Sequence, residues 1–121
     1  MTVKQLNSIQ PGEIWVVKLS IKDEDTIGHE TQKTRPCLTI ANHPEGKMIT
    51  VIPLQSNLKV LNIPYTYLIK KNQKNRLNSD SVAVVFQIRS LDYKRFQNKI
   101  GFIEKNDLDK IKALLRYFLN I

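Results

Sequence analysis

The residues best suited to chemistry lie in one short polar stretch, Gly28 to Pro36. It brings together an imidazole, a carboxylate, an amide and a guanidinium. The imidazole of His29 ionises near neutral pH and suits proton transfer, and Glu30 beside it can share that role. The guanidinium of Arg35 keeps its charge and can bind a phosphate through two parallel hydrogen bonds. Pro36 favours an extended backbone at Arg35, so the stretch predicts acid–base chemistry beside a fixed positive charge.

These groups suit the attack of an RNA 2′-hydroxyl on the adjacent phosphate, because that nucleophile belongs to the substrate and needs no metal. A histidine and an arginine in one polar loop are, however, more often solvated than catalytic. Other chemistries lack a motif: the sequence has no Gly-rich phosphate loop, no Gly-x-Ser-x-Gly elbow and no His-x-x-x-His pair. We therefore expect neither a cofactor nor a metal ion.

Length and charge limit the class of protein. The 121 residues predict a single domain, 1–121, and 19 Lys and Arg against 11 Asp and Glu give a net charge of +8. Such an excess favours a polyanionic partner, either nucleic acid or an acidic protein, although it also serves solubility alone. One cysteine, no signal peptide and no apolar run of membrane-spanning length predict a cytoplasmic protein without a membrane partner.

Hydrophobic patterning predicts a mainly β fold with a C-terminal α-helix. A hairpin is expected around Asn42 to Gly46, and the most apolar run, which ends at Ile88, is expected to be a central strand buried on both faces. A polar connection follows the first strand. The predicted strands are Glu13 to Leu19, Cys37 to Asn42, Lys47 to Leu54, Tyr65 to Ile69, Ser81 to Ile88 and Ile100 to Ile103.

The helix is predicted from Asn106, which can cap it, and Asp107 suits its first turn. Apolar residues recur at helical spacing, as expected for one face packed on a sheet. They are Leu108, Ile111, Leu114, Leu115, Phe118 and Leu119.

Further candidates lie at strand ends and in loops. Gln55 and Ser56 end the third predicted strand, and Gln87 and Arg89 end the apolar run, where alternation would place both on one face. A basic loop is either a solvated turn or a set of phosphate contacts. It contains Lys70, Lys71, Lys74 and Arg76.

Several spaced motifs, in order along nearly the whole chain, resemble the MazF/PemK/Kid family of toxin endoribonucleases. They are Pro11-Gly12-Glu13-Ile14-Trp15-Val16, Gly28-His29-Glu30-x-Gln32-x-Thr34-Arg35-Pro36, Pro53-Leu54-x-Ser56, Asp80-Ser81-Val82 and Gln87-Ile88-Arg89-Ser90-Leu91-Asp92-x-x-Arg95. The resemblance implies a strongly bent antiparallel sheet of SH3-like barrel type with a C-terminal helix. It also implies a homodimer, metal-independent and sequence-selective cleavage of single-stranded RNA, and neutralisation by a cognate antitoxin.

The resemblance also implies roles for individual residues. Arg35 matches the family's catalytic arginine, and His29 and Glu30 match loop residues that some members use in acid–base chemistry. Gln55, with Ser56 beside it, stands where MazF-type members carry a catalytic threonine. The implied RNA contacts are Gln32, Lys33, Thr34, Gln87 and Arg89. Arg89 is interpreted as a positioning or interface residue rather than a catalyst, and the alternative is a buried structural ion pair.

The match is not complete, because Kid-type members use an arginine and an aspartate where this chain has Val84 and Phe86. An amide at Gln55 cannot exchange protons as a hydroxyl does. Two alternatives to an active endoribonuclease therefore stay open. One is a catalytically weakened or inactive relative that acts as a binding module for RNA or an antitoxin, and the other is a gyrase-poisoning toxin of similar fold.

Overall fold

The computed structural model describes residues 1–20 and 34–121. Within them the chain forms two α-helices, seven strands and three short 3₁₀ turns, the turns being Leu58–Asn62, Val85–Gln87 and Tyr93–Arg95. The helices and strands are, in order, α1 (Val3–Leu6), β1 (Glu13–Lys18), β2 (Thr34–His43), β3 (Met48–Gln55), β4 (Thr66–Ile69), β5 (Ser81–Val84), β6 (Arg89–Asp92), β7 (Phe96–Phe102) and α2 (Lys105–Leu119).

The strands form one antiparallel sheet in the order β4-β5-β3-β2-β1-β7. β3 is its central strand, because it pairs with β2 along one edge and with β6 and then β5 along the other. The predicted fold class, mainly β with a C-terminal helix, is confirmed. Among the described strands the outer ones, β4 and β7, do not pair with each other, so the sheet is open rather than a closed barrel.

Two hydrophobic cores cover opposite faces of the sheet. Successive residues alternate between them: Cys37 belongs to one core and Leu38 to the other, as do Val51 and Ile52. The first core also receives α2 and consists of Ile14, Leu38, Ile52, Leu54, Ile69, Leu77, Ala83, Val85, Ile103, Ile111 and Leu115. The second core consists of Leu6, Ile9, Trp15, Val17, Leu19, Cys37, Ile49, Val51, Leu91 and Phe96.

The predicted hairpin between β2 and β3 is confirmed. His43 pairs with Met48 at its end, and the Nδ1 atom of His43 accepts a hydrogen bond of 2.9 Å from the backbone N–H of Gly46. Lys47 completes the turn in the left-handed region at φ 54°. A Cβ atom at Gly46 would lie 2.6 Å from that same imidazole nitrogen, so a larger residue there would displace the side chain of His43 and disturb this hydrogen bond.

The prediction of a long central strand from Ser81 to Ile88 is wrong. β5 ends at Val84, and the chain turns through Val85–Gln87 before β6 begins at Arg89. The backbone N–H of Val85 donates to the carbonyl of Tyr65, at 3.0 Å, and its side chain is fully buried in the first core. The apolar run therefore reflects burial of a turn as well as of a strand.

The C-terminal helix is confirmed, with two corrections. It begins at Lys105, with Glu104 rather than Asn106 at the N-cap, and no side chain caps it. Ile111 and Leu115 are buried, whereas Phe118 and Leu119 are 36% and 44% exposed. The last turn of the predicted apolar stripe therefore extends beyond the sheet it packs on.

The sequence prediction missed the structure of the first nine residues. Thr2 and Gln5 form a capping box around α1, with Gln5 N–H to Thr2 Oγ1 at 3.2 Å and Thr2 N–H to Gln5 Oε1 at 2.8 Å. Leu6 and Ile9 are buried in the second core, and the side-chain amide of Asn42 donates to the carbonyl of Leu6 at 2.6 Å. This segment therefore closes the second face of the sheet.

Replacing Leu115 by alanine is expected to lower the free energy of unfolding by about 2–5 kcal/mol, because the truncation leaves a cavity between α2 and the sheet. Chemical denaturation of the variant measures this loss. Leu119→Ala is the matched control, since Leu119 is 44% exposed on the same helix, and it should cost less than about 1 kcal/mol. Equal losses in the two variants would show that another face of α2 is buried.

The only cysteine of the chain should be unreactive in the native protein. Burial raises the pKa of the Cys37 thiol to about 12, from an ordinary value of 9.0. The native thiol therefore keeps its proton between about pH 9 and pH 12, while the unfolded chain loses it. Because the unfolded state binds fewer protons in that window, the contribution of Cys37 to stability falls as the pH rises.

Alkylation by iodoacetamide at pH 9 measures this protection, because the thiolate is the nucleophile. The native protein should react far more slowly than the same protein in urea. Equal rates in the native and unfolded protein would contradict the burial of Cys37.

Candidate active site

Arg35 is held by the pairing of β2 with β1. Val17 lies opposite Arg35, and Thr34 and Pro36 lie opposite Lys18 and Val16. Pro36 provides no N–H for the ladder, and its place near the start of β2 is one where a sheet tolerates proline. Arg35 is half-buried and Thr34 is exposed.

Arg35 and Arg89 lie on the face of the sheet that carries the second core. Arg35 shares its face with Cys37, two residues further along β2, and Cys37 is fully buried in the second core. Arg89 pairs with Val51, another member of that core. The structure thus places two half-buried guanidinium groups at one apolar face.

The two arginines approach the same buried thiol. Burial is the main influence on the Cys37 thiol and raises its pKa, while the charges of Arg89 and then Arg35 act in the opposite direction. The Cys37 Sγ atom also makes a weak hydrogen bond to the carbonyl oxygen of Arg35, at 3.7 Å. Because the thiol is neutral, it does not compensate the positive charges of the two guanidinium groups.

Neither arginine forms an ion pair with any carboxylate in residues 1–20 and 34–121. The ion pairs in this part of the chain involve lysines elsewhere: Lys74 with Glu104, Lys99 with Glu13 and Lys105 with Asp109. Two unpaired cations over a low-dielectric core create a positive potential that favours an anion. Arg35 and Arg89 therefore form the strongest candidate for a phosphate site in the described structure.

Gln55 belongs to the same face and the same end of the sheet. Cys37 pairs with Pro53, and Gln55 follows Pro53 by two residues as Arg35 precedes Cys37 by two. In an antiparallel ladder this brings both side chains out on one face at one end. Gln55 is half-buried and pairs on its other edge with Val82, whereas Ser56 is exposed beyond the strand.

The sequence analysis expected strand alternation to place Gln87 and Arg89 on one face. That prediction is wrong. Gln87 ends the 3₁₀ turn and Arg89 is the first residue of β6, so the two belong to different elements. Both are half-buried. Arg89 reaches the second core because β6 pairs with β3, a contact that the sequence pattern did not predict.

The basic loop is anchored, although it contains no apolar residue. The buried side chain of Asn75 donates to the carbonyl of Lys70 at 2.8 Å and accepts from the backbone N–H of Asn72 at 3.0 Å and of Leu77 at 3.1 Å. Leu77 in turn is buried in the first core. The loop is therefore an ordered turn rather than a loose one.

The basic loop does not belong to the Arg35 site, as the position of Lys74 shows. The backbone N–H of Phe102 donates to the carbonyl oxygen of Lys74 at 3.1 Å, and a Cβ atom on Gly101 would clash with that oxygen, so the loop lies directly against β7. Gly101 pairs with Ile14, a residue of the first core, so Lys74 lies on the face opposite Arg35. Its ammonium is 3.7 Å from Glu104, and Lys70, Lys71 and Arg76 are exposed.

Sequence reasoning gave no role to Arg95, although it lies in one of the motifs. Its Nη1 atom donates to the carbonyl oxygen of Leu19 at 2.8 Å, at the end of β1. The two residues are 76 positions apart, and no local pattern predicts such a contact. In the sequence, the feature that could have drawn attention to Arg95 was its place in the motif Asp92-x-x-Arg95.

Four predicted site residues lie outside the described residues: His29, Glu30, Gln32 and Lys33. In the described ranges no group of three His, Cys, Asp or Glu side chains is placed to hold a metal ion. No helix of these ranges is long and apolar enough to cross a membrane.

Comparison with known proteins adds the family. The curated endoribonuclease MazF of Staphylococcus epidermidis is 27% identical over 116 residues, which are 93% of this chain and 92% of that protein. Among solved structures, MazF of Deinococcus radiodurans superposes with a TM-score of 0.71 at 18% identity, covering 92% of this chain and 94% of its own.

The MazF-mt6 toxin of Mycobacterium tuberculosis superposes with a TM-score of 0.69 at 16% identity, covering 93% of this chain and 98% of its own. Both superpositions agree with the open antiparallel sheet and C-terminal helix described above. Residues 10–119 match the family model of the PemK-like, MazF-like toxins. Because that match spans nearly the whole chain, the protein belongs to the PemK-like, MazF-like toxin family of type II toxin–antitoxin systems.

Proposed function

We propose that this toxin is an endoribonuclease that cleaves single-stranded mRNA at selected sequences, without a metal ion, and thereby inhibits translation and growth. The observation that carries the proposal is the pair of half-buried guanidinium groups, Arg35 and Arg89, unpaired by any described carboxylate. The Staphylococcus epidermidis relative, named an endoribonuclease, supports the reaction class. Because mRNA is the proposed substrate, we place the protein in the cytoplasm.

In the proposed reaction the 2′-oxygen of the substrate attacks the adjacent phosphorus, and the bond from phosphorus to the 5′-oxygen breaks. A base takes the 2′-hydroxyl proton and an acid gives a proton to the departing 5′-oxygen, which leaves a 2′,3′-cyclic phosphate and a 5′-hydroxyl. Arg35 binds the phosphate and stabilises the negative charge that builds up on its oxygens. His29 and Glu30 remain our candidates for the acid and the base.

The other polar groups are assigned by their place on the sheet. Arg89 positions the phosphate beside Arg35, and the amide N–H₂ of Gln55 donates to a phosphate oxygen without exchanging a proton. Ser56, Gln87 and Thr34 are proposed contacts along the RNA, as are Gln32 and Lys33. The basic loop stays either a solvated turn or an outlying phosphate contact, since Lys74 lies on the other face of the sheet.

We also propose that the toxin is a homodimer neutralised by a cognate antitoxin. A solved mycobacterial endoribonuclease with its cognate antitoxin, of the same fold at a TM-score of 0.68 and 15% identity, supports this partner. Exposed apolar side chains in the segment from Leu58 to Tyr65 and at the C-terminal end of α2 support a subunit contact. They are Leu58, Leu61, Ile63, Tyr65, Tyr117, Phe118, Leu119 and Ile121, and the rings of Tyr65 and Phe118 lie 5.2 Å apart.

Replacing Arg35 by alanine is expected to lower the cleavage rate by at least about 100-fold, because it removes the group that stabilises the transition-state charge. The assay incubates the antitoxin-free protein with a long single-stranded RNA in EDTA and maps the cut sites and the chemistry of the ends. Wild type should leave 2′,3′-cyclic phosphate and 5′-hydroxyl ends at a short repeated sequence.

Lys112→Ala is the matched control, because it removes one positive charge from an exposed position on α2. It should cleave like the wild type. Unchanged cleavage by folded Arg35→Ala would remove Arg35 from the mechanism. Absence of cutting by folded wild type would favour a toxin that only binds RNA, an antitoxin or gyrase, a reading to which the amide at Gln55 already lends some support.

A further inference from the structure

Arg95 makes a long-range contact with the end of β1. It is the last residue of the 3₁₀ turn Tyr93–Arg95 and directly precedes β7. Its Nη1 atom donates to the carbonyl oxygen of Leu19 at 2.8 Å and makes a longer contact of 3.5 Å with that of Lys18. A hydrogen bond from a charged donor is stronger than one between neutral groups.

The contacted end of β1 is the end that holds Arg35. Lys18 pairs with Thr34, and Val17 pairs with Arg35 on one side and with Phe96 on the other. Arg95 precedes Phe96 directly. Its guanidinium therefore fixes the continuation of β1 next to the row of residues that contains Arg35.

The ladder between β1 and β7 is irregular next to Arg95. The pairing of β1 with β7 shifts register between Val16 and Val17, and Val17 with Phe96 is the last pair of that ladder. Such an irregularity interrupts the regular hydrogen bonds of a sheet. Beyond Val17, the contacts of Arg95 with the carbonyl oxygens of Lys18 and Leu19 connect the residues before β7 to the end of β1.

We propose that Arg95 is a positioning residue: it fixes the end of β1 so that the paired strand β2 presents Arg35 in one orientation. It acts through β1 and Arg35 and does not bind RNA itself. The inference rests on the proposed function for its kinetic consequences, whereas its structural half is independent of that function.

The neighbouring lysine provides a matched control. Lys94 is exposed, and its backbone N–H, rather than its side chain, donates to the Oδ1 atom of Asp92 at 2.8 Å. Lys94→Gln therefore removes one positive charge from the same turn while leaving the turn's hydrogen bond intact. Arg95→Gln removes the same charge together with both contacts to β1, and Arg95→Lys keeps the charge with a single-point donor.

The test measures kcat and KM on one defined RNA, together with amide hydrogen exchange by mass spectrometry. For Arg95→Gln we expect kcat to fall about 100-fold, the order of loss caused by misplacing a catalytic group, with KM unchanged. Exchange should accelerate at the amides of residues 17–19, 34 and 35 and stay constant at those of residues 49–52 and 54. Arg95→Lys should fall between this variant and the wild type, and Lys94→Gln should match the wild type.

Other outcomes would overturn the proposal. A higher KM with unchanged kcat would mean that Arg95 binds RNA directly. A lower thermal midpoint with unchanged kcat per folded molecule would mean that it only stabilises the fold. If the wild type cleaves no RNA, the proposed function fails, and exchange alone decides: unchanged exchange at the amides of residues 17–19, 34 and 35 in Arg95→Gln would reject the positioning role.

Discussion

The pairing of β3 with three other strands is the constraint on which the rest of the structure depends. The pairing with β2 sets the position of Arg35 along the sheet, and the pairing with β6 brings Arg89 to the second core. The pairing with β5 sets the position of Gln55. Because a strand's side chains alternate strictly, these pairings decide which face each polar group occupies. A slip of one residue in β3 would move Gln55 and the residues that pack beneath Arg89 to the opposite face.

The charge distribution follows from the two-sided burial of this sheet. Lys74 and Lys105 pair with exposed carboxylates, where such pairs contribute little to stability, and Lys99 pairs with the half-buried Glu13. Arg35 and Arg89 instead lie over the second core, beside a thiol that burial keeps neutral. In the described part of this molecule of net charge +8, Arg35 and Arg89 are two half-buried positive charges without an ion pair on one face of the sheet. That face fits an anion better than the basic loop does.

The sequence predicted those elements whose signal is local and strong. The hairpin of β2 and β3 and the helix α2 follow from turn residues and from apolar periodicity. The four-residue helix α1 is too short for such periodicity, yet the Thr2 to Gln5 capping box was visible in the sequence. The apolar run after Ser81 was misread as one strand because hydrophobicity reports burial, and Val85 is as buried in its turn as β5 is in the sheet.

Non-local contacts explain what could not be predicted about the site. The meeting of Arg35 with Arg89 depends on the pairing of β6 with β3, and the hold of Arg95 on Leu19 joins residues 76 positions apart. The basic loop looked unanchored because Asn75, a polar residue, makes its internal hydrogen bonds. Residue types could therefore identify Arg35 as a candidate, but only the pairing of the strands shows which other groups accompany it.

The central claim is that the face bearing Arg35 and Arg89 binds the RNA phosphate. The most direct measurement is an NMR titration with a short 2′-O-methyl RNA, which lacks the attacking hydroxyl, following the guanidinium Nε–H signals. We expect the signals of Arg35 and Arg89 to shift together with one midpoint, while that of Arg116, exposed on α2, stays in place. Shifts confined to Arg76 of the basic loop, with Arg35 and Arg89 unmoved, would contradict the account.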